Sequence, residues 1–344
     1  AHLSPRCLCI QAAGAFCVCH DSSVTKYNRL ARETPGFEHW RLPVAAIIAA
    51  AAFGVFNLVL AFVLILLSAD AAESMTEISL GNPGILFVQL GSIAVLLPCV
   101  LIAIWAIWPK HLGYLHSVEG RFRWRWFASC FALALLIVGA FLGFSIVVAA
   151  ATGEPVEFSF PSGAKRWSLL VVVLVVPFQA AAEEYVFRGA LMQLISSWTR
   201  RTWVPVLVTT ALFAAGHPYN FWGLMSVAVF GLVAALVTLR TGGLEAAVAL
   251  HIVNNLLLMS LDLFGLADSS GEGADFFNEV LPTVFMCLAL WAAVEWLARR
   301  RGLQTTRERI EPVEYVVVPP PPYVPVGHPL AGHSHTTFGT TGQK

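Results

Sequence analysis

Eight runs of predominantly apolar residues, at roughly 43–68, 84–108, 126–151, 168–197, 203–218, 222–240, 244–264 and 278–298, constrain this chain more than any other feature. A helix needs about 20 such residues to cross the hydrocarbon of a bilayer, and a chain repeating that pattern has few architectures open to it. The expected fold is all-α, a polytopic membrane bundle of about eight transmembrane helices. Composition agrees: 57% of residues are hydrophobic, 12% are charged, and the mean hydropathy is +0.72, whereas soluble domains carry about a quarter charged residues.

Lys and Arg orient the bundle, because cytoplasmic flanks are enriched in them. Arg29, Arg32 and Arg41 precede the first run; Lys110, Arg121, Arg123 and Arg125 separate the second from the third; Arg200 and Arg201 follow the fourth. Arg240 ends the sixth, and Arg299, Arg300, Arg301, Arg307 and Arg309 follow the eighth. With eight crossings all of these fall on one side. Asp70, Glu73, Glu77, Glu154, Glu157, Asp268, Glu272 and Asp275 fall on the other, with Lys165 and Arg166 as the exceptions. Both termini are therefore expected in the cytoplasm. The first apolar run is long enough to remain as a helix, so no cleavable signal peptide is expected.

The chain divides into an N-terminal tail, 1–42, a membrane domain, 43–298, and a C-terminal segment, 299–344, that is basic at first and Pro-rich from Pro319 to Pro325. Both tails read as flexible or interfacial. Cys7, Cys9, Cys17 and Cys19, with His20, could hold zinc, but two C-x-C pairs are not a common zinc spacing; reduced thiols or lipidation sites fit as well. Gly139 and Gly143 suit close helix packing. No internal repeat is visible. The net charge is zero and the basic residues lack an aromatic platform, so no nucleic-acid partner is expected. The lipid bilayer is the partner this composition implies.

Charged residues inside apolar runs are costly and mark function. Glu183, Glu184 and Arg188 lie in the fourth run. On a helix Glu184 and Arg188 share a face and can pair, while Glu183 is rotated about 100° away and keeps no local counter-ion. Glu183 is thus the carboxylate suited to exchanging protons. Phe213 and His217 share a face of the fifth run, and Pro218 ends the helix there. His251, Asn254 and Asn255 form a polar stripe in the seventh. The bland alternative for each group is a buried polar network that fixes helix packing. Jointly, a carboxylate, two imidazoles and an amide supply the parts for activating water and stabilising an oxyanion. With straight spans, His217 would lie about 10 Å deeper than His251, a gap the fold must close if they share a site.

E-E-x-x-x-R at Glu183, Glu184 and Arg188, F-x-x-x-H at Phe213 and His217, and H-x-x-x-N at His251 and Asn255 resemble the CPBP intramembrane protease family, which includes type II CAAX prenyl endopeptidases and Abi-like proteins. The resembling core covers about 165–265. It implies an intramembrane endopeptidase acting on a peptide or membrane-anchored protein, in which Glu183 and His217 activate water and His251 and Asn255 hold the oxyanion. It further implies that Glu184 is steadied by Arg188 and that Phe213 packs against the water-activating pair. Asn254 has no counterpart in the motif.

Family members are commonly labelled metalloproteases. Glu183, His217 and His251 would be the ligands if a divalent metal such as zinc took part; H-E-x-x-H is absent, so the sequence does not demand one. The site is expected to open toward the cytoplasm. The competing function is non-enzymatic: a proton-coupled transporter, or a scaffold or immunity protein that has lost activity. No serine-protease G-x-S-G or aspartyl G-x-G-D pattern is present, and nothing in the sequence selects a prenylated over an unmodified substrate.

Overall fold

The computed structural model describes residues 7–8, 18–19, 24–67, 79–153, 156–269 and 275–308. All belong to one compact unit, residues 1–310; residues 311–344 form the other unit and lie outside the described residues, as do Asp70, Glu73, Glu77, Glu154, Glu272, Arg309 and the Pro-rich run. Apart from the paired backbones of Cys7–Leu8 and Val18–Cys19, so does the cysteine-rich stretch.

Among the described residues, eight helices build the bundle: α1 (Arg41–Leu66), α2 (Pro83–Ile107), α3 (Trp124–Thr152), α4 (Ala164–Trp198), α5 (Trp203–Ala215), α6 (Phe221–Thr241), α7 (Glu245–Leu263) and α8 (Phe276–Arg300). Seven are long and apolar enough to cross a membrane; α5, at 13 residues, is about 20 Å long against a core of about 30 Å. The fold is thus the all-α, multi-pass bundle read from hydropathy, with one short member. Its exterior carries Ile47, Leu58, Phe62, Trp105, Leu136 and Phe144, all exposed. A continuous apolar surface of this kind needs lipid around it.

Local chemistry sets the helix ends. Asn82 caps α2, accepting from the N–H groups of Gly84 at 3.1 Å and Ile85 at 3.2 Å, with Pro83 at the first helical position. Asn220 caps α6 through Gly223 N–H, and Asp275 with Asn278 forms a reciprocal cap on α8. Gly242 ends α6 at φ +70°. A side chain there would also strike the Thr305 carbonyl oxygen at 2.6 Å, so glycine is required twice over.

Helix α7 is the axis, packed against α3, α4 and α6. Its first residue, Glu245, is fully buried and ion-paired to Arg123 (2.7 Å), whose guanidinium also donates to the Thr241 and Gln304 carbonyls. Part of each expected tail is folded here. Val24–Lys26 pairs antiparallel with Thr306–Glu308. Tyr27 is buried and donates to the Leu115 carbonyl at 2.6 Å. Arg29 and Arg32 donate to the carbonyls of Ser196, Ser197 and Thr199, satisfying the C-terminal end of α4.

These contacts sort the loops into two faces. Residues 24–34, 108–123, 193–202, 240–245 and 300–308 meet on one, through Gln193 to Tyr114, Asn28 to Ser196 and Val118 to Gly242. Every described Lys and Arg except Lys165, Arg166 and the interior Arg188 lies on or beside this basic face. On the opposite face, the Ser159 N–H donates to the Phe264 carbonyl and Trp222 meets Phe276 edge-on.

Candidate active site

The E-E-x-x-x-R motif sits where α4 changes pitch. Ala164–Glu184 is α-helical, Tyr185–Leu191 is a π-helical turn, and Met192–Trp198 returns to α. Such turns shift the phase of the faces they join and recur at functional sites. Glu184 and Arg188 are fully buried and paired at 3.0 Å. The guanidinium donates a second bond to the Gly231 carbonyl (3.0 Å) and lies 4.2 Å over the Phe213 ring. Burying such a charge is costly unless it is paired, and α6 and α5 add contacts that α4 cannot, although Arg188 Nε and Glu184 Oε2 have no hydrogen-bond partner. Gly231 admits it because a Cβ there would stand 2.9 Å from Arg188 Nη2 and 3.1 Å from Phe213.

His251 of α7 lies between the two carboxylates. Its Nδ1 is 2.8 Å from Glu184 Oε1 and its Nε2 is 3.4 Å from Glu183 Oε2. Glu183 is 9% exposed, and its Oε2 has no partner of hydrogen-bonding geometry; the 3.4 Å approach is charge proximity, short of a formed bond. Oε2 of each carboxylate has no hydrogen-bond partner; the two differ in that Oε1 of Glu184 is held by both Arg188 and His251.

His217 follows the end of α5 on a bend, and its imidazole folds back so that Nδ1 is 2.9 Å from the Phe213 carbonyl. A carbonyl accepts only, so Nδ1 carries the proton and Nε2 is the free acceptor. Phe213 touches both imidazoles, with ring centroids 4.8 Å from His217 and 5.7 Å from His251. This fold-back closes the depth gap that straight spans would leave. Asn255 stands further along α7; its amide nitrogen donates weakly to Gln179 Oε1 (3.4 Å) and its oxygen accepts from Asn254 (3.2 Å).

Glu183, His217, His251 and Asn255 all line one cavity of about 490 Å³, with Phe213, Gln179 and Asn254. Its remaining walls come from the N-terminal parts of α2, α6 and α8, the C-terminal parts of α3 and α7, and the loops next to them, reaching Ser269 and Asn278. That runs toward the face opposite the loops that carry most of the described Lys and Arg.

The motifs alone did not reveal Gln179, Gly231 or the Arg123–Glu245 pair. Gln179 is four residues before Glu183 on one helix face, and Glu245 is an acid in an apolar run, so both had a readable signal. Gly231 had none.

Among the described residues no three His, Cys, Asp or Glu side chains are arranged to hold a metal ion. In the conditional set of Glu183, His217 and His251, Nδ1 of His217 is held by the Phe213 carbonyl and Nδ1 of His251 by Glu184, the support a metal-bound imidazole also has, so Nε2 of each ring and Glu183 Oε2 are the groups that would hold an ion. No step below is routed through a metal.

Fold and site together define a multi-pass helical membrane protein with a buried carboxylate and imidazole centre. Residues 165–257 match the family described as Rce1-like, type II CAAX prenyl endopeptidase Rce1-like, so the resemblance carried by the three motifs is shown over the stretch that contains every site residue. The family matched is one of CAAX prenyl endopeptidases. The chain is 26% identical over 155 residues to the uncharacterised protein YyaK of Bacillus subtilis (strain 168), covering 40% of this chain and 52% of that protein. It is 33% identical over 89 residues to an uncharacterised 24.3 kDa protein of Escherichia coli, covering 24% and 39%. The chain thus spans about half the length, or less, of these relatives. No solved structure matches.

Proposed function

We propose that the protein is an intramembrane endopeptidase that hydrolyses a peptide bond with water activated by Glu183 and His217. The open Oε2 of Glu183, buried beside two imidazoles at the wall of a cavity large enough for a peptide segment, is the observation that carries this reading. Glu183 takes a proton from water while His217 Nε2 orients it, and the resulting hydroxide oxygen attacks the carbonyl carbon. The carbonyl π pair moves to oxygen, where His251 Nε2–H and the Asn255 amide stabilise it. The proton held by Glu183 then passes to the departing nitrogen as the C–N bond breaks.

Glu184 and Arg188 orient the centre. Two carboxylates and one guanidinium lie around the His251 ring, so Arg188 offsets one of the two acidic charges that a site in hydrocarbon must balance. Both termini lie in the cytoplasm in this reading, following the basic face. The substrate is a peptide or a membrane-anchored protein.

The test is cleavage of a panel of membrane-anchored and C-terminal peptides by detergent-purified protein. Wild type cleaves and Glu183→Ala does not; equal cleavage by the two removes Glu183 from the mechanism. Proton-coupled flux that is lost in Glu183→Gln, with no peptide cleaved, replaces the protease by a transporter.

A further inference from the structure

We infer that Glu279 selects the substrate: the cavity takes a peptide segment bearing a Lys or Arg, whose positive charge is received by the Glu279 carboxylate while Glu183 and His217 act on a peptide bond nearby. The inference rests on the protease reading above and adds the charge that the substrate carries.

Glu279 stands in the first turn of α8, partly buried, and lines the same cavity as Glu183. Ser226 of α6 donates to its Oε1 at 3.1 Å, and Thr283 Oγ1 lies 2.9 Å from Ser226 Oγ. A carboxylate accepts only, so the Ser226 proton goes to Glu279 and Thr283 donates to Ser226 in turn. Two hydroxyls thus hold the carboxylate in place. Among the described residues this is the one hydrogen bond to it, which leaves Oε2 for a ligand.

Tyr219, on the bend between α5 and α6, relates this group to the reacting atoms. Its ring is 5.7 Å from that of His217, and its phenol is pushed up in pKa by burial and then by the charges of Glu279 and Glu183. One side chain therefore senses both carboxylates. Glu183 itself is nine-tenths buried with Oε2 unpartnered, a second acceptor at the wall of the same space.

The cavity has no cation to match them. Its acidic lining residues are Glu183, Asp268 and Glu279, and no Lys or Arg lines it among the described residues. Arg188 lies outside the lining, paired with Glu184. Residues 43–109 contain neither Lys nor Arg, and residues 202–298 contain only Arg240, which pairs with Glu295. A cleft lined by one sign of charge between low-dielectric walls concentrates the opposite charge. A neutral or acidic segment would desolvate Glu279 with nothing in return, and such a penalty is what discriminates between substrates. An acid in the first turn of a helix also favours that helix through its dipole, but this second role does not depend on which peptide is bound.

The purified full chain can be given matched peptides in which one residue is Lys, norleucine or Glu, placed in turn at each position flanking the scissile bond. At the best position the Lys peptide should exceed its norleucine counterpart in kcat/KM by about 10- to 100-fold, the range of a hydrogen bond to a charged group. Glu279→Gln, which keeps the shape and can still accept from Ser226, should lower the Lys peptide until the two are cleaved alike, and Glu279→Lys should turn the preference toward the Glu peptide. No preference for Lys at any position overturns the inference. So does a fall in Glu279→Gln that is equal for all three peptides, which returns Glu279 to support of the helix end. The same peptides, fluorescently labelled, are titrated onto Glu183→Gln, in which cleavage is slowed, with and without Glu279→Gln. If no peptide is cleaved by wild type, yet the Lys peptide binds more tightly and loses that advantage in Glu279→Gln, the protease reading fails and the cation-selective site stands. Cleavage with no charge preference has the opposite meaning.

Discussion

His251 Nδ1 and Arg188 Nη1 meet the same atom, Glu184 Oε1, at 2.8 and 3.0 Å. One carboxylate oxygen therefore ties the imidazole of α7 to the guanidinium of α4 and fixes which ring edge faces Glu183. Glu184→Gln keeps the shape but removes the charge that holds this arrangement, leaving Arg188 uncompensated in a buried site. Thermal unfolding in detergent should show a loss of about 3–5 kcal/mol, with cleavage reduced by more than the change in fold accounts for. A variant as stable and active as wild type would mean that the pair is incidental.

Glu183 should behave in the opposite way. Its Oε2 has no hydrogen-bond partner, so Glu183→Gln breaks no formed bond at that atom and should leave the melting temperature close to wild type. Loss of a general base costs about 10²- to 10⁴-fold in rate, and the loss should fall on kcat with KM little changed. Equal destabilisation of the Glu183 and Glu184 variants would return both carboxylates to a packing role.

Gly231 gives a test remote from the reacting atoms. A Cβ at this position meets Arg188 Nη2 at 2.9 Å and Phe213 at 3.1 Å, so Gly231→Ala must push the guanidinium from its seat between the Gly231 carbonyl and the aromatic ring. Overpacking of this kind costs about 1–3 kcal/mol. The variant should unfold earlier and cleave more slowly. Gly139→Ala, where the nearest atom to a new Cβ is Leu257 Cδ1 at 3.9 Å, is the control that should do neither.

What could be read from the sequence follows from which interactions are local. Hydrocarbon thickness imposes a length on every spanning helix, so the apolar runs placed the helices closely, and the short α5 differs because its segment ends in the Gly216-His217-Pro218 bend. Spacing by four put Glu184 with Arg188 and Phe213 with His217, since one helical turn decides both. Nothing local says that Arg188 reaches Gly231 on α6 or that His251 enters between two carboxylates of α4. Nor does composition show residues 24–33 folding back onto the end of α4, because Tyr27, Arg29 and Arg32 find partners more than 80 residues away. The direction in which the cavity opens is another property of the assembled bundle.

Metal removal separates two accounts of the chemistry. His251 Nε2 stands 3.4 Å from Glu183 Oε2 with no hydrogen bond formed between them, and water activated by Glu183 and His217 alone needs no ion there. Exhaustive dialysis against a chelator should therefore leave cleavage unchanged, with substoichiometric zinc in the active protein by elemental analysis. Activity lost on chelation and restored by zinc would place an ion among Glu183, His217 and His251 and overturn the metal-free account.

Acid sensitivity should arise on the basic face, away from the reacting groups. His111 is buried, stacked on Trp108 at 4.5 Å, with Nδ1 3.1 Å from Thr34 Oγ1. Burial pushes its pKa down to about 3, from an ordinary value near 6.5. Between those limits the unfolded chain binds a proton that the folded protein refuses, so the unfolding free energy falls as pH falls through the window. The penalty is absent above about pH 6.5 and fully developed near pH 3. His116, also pushed down by burial, adds a contribution of the same sign. The melting temperature of detergent-solubilised protein should decline steadily as pH is lowered from about 6.5, and His111→Phe, which keeps a ring against Trp108 and cannot bind a proton, should flatten that decline. An unchanged slope in the variant would place the acid-sensitive group elsewhere.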